Sequence, residues 1–135
     1  MLNDNALLAL RPAIAAELPA EADGTVGDFL HRTLRPVLKL QNERLLRAVG
    51  AFLRDHHVPF AAAPPTEQTR YLTELLSRNV KLRYTIIGLV AALFTSSESV
   101  FYDQHRAELN RRLLELAQRR ALDQTAAIAA LLVSG

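Results

Sequence analysis

Arg35, Lys39 and Asn42 stand at i, i+4 and i+7 in the stretch Thr33-Leu-Arg-Pro-Val-Leu-Lys-Leu-Gln-Asn42, which puts them on one stripe of a helix. Two cations and an amide on one stripe have the chemistry to hold an anion. Pro36 has no N–H, so the carbonyl of Arg32 loses its helical donor and a kink near residues 32–36 is expected. Gln41 falls where the spacing from Leu34, Val37 and Leu45 turns it toward the core. A buried amide needs a hydrogen-bond partner, from the protein or from a ligand. Arg83 and Tyr84, or Glu98 and Tyr102, are candidates to supply one. One reading is a polar pocket at the kink that holds a small anion between Arg35, Lys39 and Arg83. The other is an Arg35–Glu98 or Arg83–Glu98 ion pair that locks helices together. The candidate ligand-binding set is Arg35, Lys39, Gln41, Asn42, Arg83, Glu98 and Tyr102.

The remaining chemistry-bearing residues do not assemble a catalytic set. Asp55-His56-His57 ends a long helical pattern, and neighbouring side chains on a helix diverge by about 100°, so the two imidazoles do not converge on one ion. They read as helix C-terminal residues favoured by the dipole. His105, one turn after Phe101, reads as a packing residue. No metal and no cofactor is expected. Ser96, Ser97 and Ser99 lie at a helix start, where serine caps, and no Gly-x-Ser-x-Gly elbow or glycine-rich phosphate loop occurs. The arginines on outward faces, with Asn110-Arg111-Arg112 and Gln118-Arg119-Arg120 in the last helix, raise nucleic-acid binding. Pairs such as Glu108–Arg112 and Glu115–Arg119 account for the same arginines as solvated surface.

These residues must be placed by helices. Leu7, Leu10, Ile14 and Leu18 give an acidic N-terminal helix within residues 1–18, interrupted by Pro12, and residues 19–25 form a linker. A long helix is expected from about 26 to 57, kinked at Pro36 or restarted there, and 58–65 is a proline loop pinned by Phe60. Thr66 looks like the N-cap of a helix over 67–78. Residues 80–94 carry Ile86, Ile87, Leu89, Val90, Leu93 and Phe94 without a polar face, which predicts a helix buried all round at the centre of the fold, with a close neighbour at Gly88. Thr95-Ser-Ser-Glu98 is a capping box, and a last long helix follows to about 122. Residues 124–133 form an Ala/Leu tail whose apolar face could pack on a second copy. No stretch alternates with period two, so the expected fold is all-α: one domain over 1–135, a compact bundle of five or six helices with a central helix at 80–94, and a helical core over 26–135.

Composition sets the limits. The chain has 135 residues, half of them apolar and none of them cysteine, which excludes disulfides and thiolate sites. The N-terminus lacks a basic leader and the longest apolar run, Ile86–Phe94, is far short of the about 20 residues that span a bilayer, so a cytoplasmic protein is expected. Residues 1–28 hold one base and five acids and the rest hold fifteen bases and nine acids, so an acidic first segment lies on a basic body.

The blocks 33–42 (TLRPVLKLQN), 83–98 (RYTIIGLVAALFTSSE) with Tyr102, and 110–112 (NRR) resemble a small uncharacterised all-α bacterial family, found mainly in Bacteroidetes, over about residues 29–122. Such sequences are sometimes labelled glyoxalase, but neither a βαβββ metal fold nor a His-rich metallohydrolase signature is present here. The resemblance implies that Arg35, Lys39, Gln41, Asn42, Arg83, Thr95, Glu98 and Tyr102 belong together, and it implies no activity. The first expectation for function is a non-enzymatic helical domain acting by association, as a homo-oligomer or with a protein partner. The second is a small-molecule or anion-binding bundle, enzymatic or not, with its pocket near the Pro36 kink. Nucleic-acid binding is the third.

Overall fold

The computed structural model describes residues 3–12 and 23–134 and is all-α, with no strand among them. The elements are α1 (Asp4–Ala9), α2 (Val26–Phe29), a π-helical turn (Leu30–Leu34), α3 (Arg35–Leu40), α4 (Asn42–Asp55), α5 (Pro65–Arg78), α6 (Val80–Ala91), α7 (Ser96–Gln104), α8 (Arg106–Leu122) and α9 (Thr125–Ser134). The compact bundle is as expected. Its helices are shorter and more numerous than five or six, because the long helices at 26–57 and 96–122 are broken at Gln41 and at His105.

The N-terminal helix is one and a half turns long. The Asn3 side chain caps it by accepting from Ala6 N–H at 2.9 Å, and it ends at Leu10 before Arg11 and Pro12. The rest of the expected helix and most of the 19–25 linker lie outside the described residues. The linker's end is visible: Gly24 has φ 79°, a left-handed conformation open to glycine, and Thr25 caps α2 by accepting from Asp28 N–H.

Pro36 acts as expected, through a specific device. With no N–H to give, its ring would also crowd the carbonyl one turn back. The preceding turn widens to i→i+5 bonding, and Arg35 N–H donates to Leu30 O. A widened turn inserts an extra residue and shifts the helical phase. Thr33, Leu34, Pro36, Val37 and Leu38 are all buried, while Arg35 and Lys39 face outward.

A second discontinuity follows at Gln41 (φ −93°, ψ 12°), which sequence spacing did not reveal. The Gln41 side chain is buried, and its Nε2 donates to Leu89 O at 2.8 Å. Leu89 lies in the last turn of α6, where carbonyls lack helical donors, so Gln41 caps another helix. Its Oε1 accepts from Arg44. The inward amide was correctly placed, and its partner is backbone.

The helix at 80–94 is not the dry centre of the bundle. α6 stops at Ala91; Leu82, Ile86 and Val90 are buried, while Val80 and Tyr84 are 61% and 67% exposed and Gly88 faces open space. The expected close neighbour at Gly88 does not exist. The central position belongs to α8, which touches the π turn, α4, α5, α6, α7 and α9. It buries a single stripe, Leu109, Leu113, Ala117 and Ala121, and its small alanines let neighbours approach. The Ala/Leu tail forms α9 and packs on α4 of the same chain, with Ile128 fully buried. Phe60 pins the proline loop as expected, but Pro64 takes the N-cap of α5 and Pro65 its first position, leaving Thr66 inside the helix.

Replacing Gln41 by Leu orphans the Leu89 carbonyl. The expected cost is about 1–3 kcal/mol in urea-induced unfolding, and a change below about 0.5 kcal/mol shows that the cap contributes nothing.

Candidate functional site

Five of the seven candidate residues fall at three places, while Gln41 caps α6 and Lys39 lies on α3 apart from all three. Glu98 lies at the first, a closed electrostatic node. Thr95 and Glu98 form the expected capping box: Thr95 Oγ1 accepts from Glu98 N–H, and Glu98 Oε1 accepts from Thr95 N–H at 2.8 Å. Glu98 pairs with neither Arg35 nor Arg83. Its partner is Arg11, whose two terminal nitrogens each donate to a different carboxylate oxygen at 2.6 Å in a bidentate pair. The side chains are only 8% and 14% exposed. Thr33 Oγ1, on the π turn, donates to Glu98 Oε2 at 2.8 Å, and Arg11 also donates to Leu93 O. Asp4 accepts from Ser96 N–H at 3.0 Å, so the N-terminal segment is fastened twice to the start of α7. Arg11 and Thr33 had no sequence signal as partners of Glu98, because their separations of 87 and 65 residues leave no local pattern. Burial opposes the charge on Glu98, yet the hydrogen bonds from Arg11, the Thr95 amide and Thr33 outweigh it and hold the carboxyl below its ordinary value. A hollow of about 330 Å³ opens beside the node between Leu8, Phe29 and Phe101, with Asp28 and Arg32 at its edge. Those two pair with each other at 3.0 Å, so the charges there are already matched.

Arg83 lies at the second place, with Tyr84, Val80 and Ile87 of α6 and Asn110 and Leu114 of α8, around a shallow hollow of about 240 Å³. The Tyr102 hydroxyl donates to Asn110 Oδ1, so Tyr102 is committed to a neighbouring helix.

The third place is a groove of about 640 Å³ between the Pro36 kink and the C-terminal turns of α8. Leu30, His31, Arg35 and Leu38 line one wall, and Leu116, Arg119, Arg120, Asp123 and Gln124 line the other. Arg35 is thus at the kink pocket as expected, but it faces Arg119 and Arg120 rather than Lys39 and Arg83. Lys39 lies exposed on α3 outside the groove. Arg35 Nη1 meets His31 Nδ1 at 3.1 Å. Arg120 is half-buried, and its Nη1 donates to Asn42 Oδ1 at 3.2 Å. Asn42 in turn exchanges amide hydrogen bonds with Gln124 at 2.8 and 2.9 Å. Asn42, at the start of α4, therefore positions Arg120 from behind. Burial, and after it the field of Arg35, lower the pKa of Arg120.

Arg47, Arg70, Arg106 and Arg111 each reach a carboxylate on an adjacent turn. The expected Glu108–Arg112 and Glu115–Arg119 pairs do not form; Arg111 takes Glu115 instead. The three groove arginines Arg35, Arg119 and Arg120, like Arg44, Arg54, Arg78, Arg83 and Arg112 outside the groove, meet no carboxylate within 4 Å among the described residues, although Asp123 stands in the groove wall. The groove thus lines up three guanidinium groups against one carboxylate.

The histidines behave as helix termini. His56 Nδ1 lies 2.8 Å from Phe52 O, and His57 takes φ 55° where α4 ends. His105 separates α7 from α8 and stacks on Phe101 at 4.4 Å between centroids. No cluster of three metal-ligating side chains occurs among the described residues, and no helix there is long and apolar enough to cross a membrane. Comparison with protein-family profiles, with curated proteins and with solved structures gave no match to this chain.

Because the carboxyl of Glu98 is depressed in the fold, its contribution is fully present above the unfolded-state value of about 4.3 and is lost as pH falls through the lower folded value. Glu98→Gln is expected to destabilise the protein at pH 7 and to flatten its acid unfolding limb below about pH 4.5. Parallel stability curves for the two proteins between pH 3 and 7 contradict the node's role.

Proposed function

We propose that this chain is an anion-binding helical domain whose site is the groove between His31, Arg35, Arg119 and Arg120. The observation that carries the reading is the like-charge pair across it: Arg35 and Arg120 face one another with no carboxylate in ion-pair range among the described residues. Like charges brought together in a partly desolvated cleft raise the energy of the empty protein. An oxyanion seated between them reverses that cost and satisfies guanidinium hydrogens in the fork geometry suited to phosphate and carboxylate. At the Glu98 node the Arg11 charge is already matched by a carboxylate, although the Arg11 Nε–H is buried without a partner there. The groove's lining holds no serine, threonine or cysteine nucleophile, and His31 is engaged with Arg35, which favours a reading of binding.

The test joins stability and affinity. In low salt without added anion, Arg35→Gln is expected to leave the protein at least as stable as the parent, since it removes a repulsion. The parent is expected to gain thermal stability with inorganic pyrophosphate, and Arg35→Gln and Arg120→Gln to lose about tenfold or more in affinity by calorimetry, about 1.4 kcal/mol. Asn42→Leu is expected to weaken binding less, through a loosened Arg120. Arg47→Gln, already paired with Glu43 on the surface, serves as the control. Equal losses in all four variants sink the reading.

A second reading, homo-oligomeric association, is supported by the exposed apolar residues of α6, Val80 and Tyr84 beside Ile87, rather than by the tail, which α4 occupies. Light scattering at about 100 μM is expected to give a dimer that Tyr84→Glu splits; a monomer removes it.

A further inference from the structure

Resting on the anion reading above, we infer that the groove's ligand is an organic oxyanion: a phosphate or carboxylate head on an apolar body, not a free inorganic ion. Each wall of the groove mixes charge with apolar surface: Arg35 stands with Leu30 and Leu38 on one, and Arg119 and Arg120 with Leu116 on the other. Leu30 and Leu116 are only half-buried although they stand on opposite elements, the π turn and α8, with the cavity between them. Their apolar surface stays wet when the groove holds nothing but an inorganic anion at the guanidinium groups.

Size points the same way. A single phosphate with its hydrogen-bonding shell fills a small part of about 640 Å³, whereas clefts of several hundred Å³ hold ligands of drug-like size. Three leucines stand among six polar or charged lining residues, so the groove offers apolar surface beside its guanidinium groups. Asn42, itself bonded to Gln124, holds the Arg120 guanidinium and His31 meets that of Arg35, so the groups that take the head are held in place and Leu30 and Leu116 remain for the body. Asp123, in the wall beside Arg119 and Arg120, repels an anion placed at its own edge and favours the Arg35 side.

The test compares two probes that share a head. By calorimetry, phenyl phosphate is expected to bind about tenfold or more tighter than inorganic phosphate, because its ring dries the groove's leucines. Leu116→Gln is expected to abolish that preference while leaving the affinity for inorganic phosphate within about twofold. Equal affinities for the two probes in the parent protein overturn this inference and leave the anion site standing. A preference that survives both Leu116→Gln and Leu30→Gln also overturns it. Binding of neither probe overturns the anion site itself.

Discussion

Pro36 is the constraint from which the rest of the site follows. A proline in mid-helix cannot donate and cannot tolerate a carbonyl directly behind its ring. The chain answers by widening the turn Leu30–Leu34 to π geometry, and Arg35 N–H takes Leu30 O. The extra residue changes which side chains face inward before and after the proline. Thr33 is swung to the Glu98 carboxylate, and His31 and Arg35 are swung to the C-terminal turns of α8. One local backbone defect thus serves two polar clusters on opposite sides of the same segment. Pi-helical turns often mark functional sites because an unstrained helix does not reach such arrangements.

The two clusters differ in whether they are complete. At Glu98 a single carboxylate receives two guanidinium nitrogens, a hydroxyl and a backbone amide, and the node ties the N-terminal segment, the π turn and α7 together. Such a network rigidifies and specifies the fold, since breaking it leaves a buried charge alone. At the groove cations face cations, and Asn42, Gln124 and His31 meet them without supplying a carboxylate. The contrast within one protein is between a cation matched by a carboxylate and like charges left facing one another.

Much of the architecture was legible in the residues. The Thr95–Glu98 capping box, the proline loop pinned by Phe60, the inward Gln41 and the Pro36 kink each arise from a local rule and were readable as such. What failed required knowledge of distance in space. Residues 80–94 look buried all round because the run 86–94 is apolar without a break, yet packing gives α6 only one covered face and leaves Tyr84 in solvent. The central helix is the arginine-rich α8, where a stripe of two leucines and two alanines suffices for the core. The site was half legible. Arg35 and Asn42 were in view at the kink, whereas Arg119 and Arg120 were read as surface charge and His31 was not singled out, because their convergence depends on the fold of α8 against the π turn. Grouping Gln41, Arg83, Glu98 and Tyr102 with them joined residues that the structure sends to different neighbours.

The account stands on Arg35 and Arg120 forming one anion site across the groove. The most direct measurement is a titration with inorganic phosphate at constant ionic strength, followed through the guanidinium Nε–H resonances of a ¹⁵N-labelled protein. The account predicts that the Arg35 and Arg120 signals move together and saturate, while those of Arg47 and Arg70, already held by glutamates, stay in place. Signals that do not move, or arginines that all drift in parallel without saturation, contradict it.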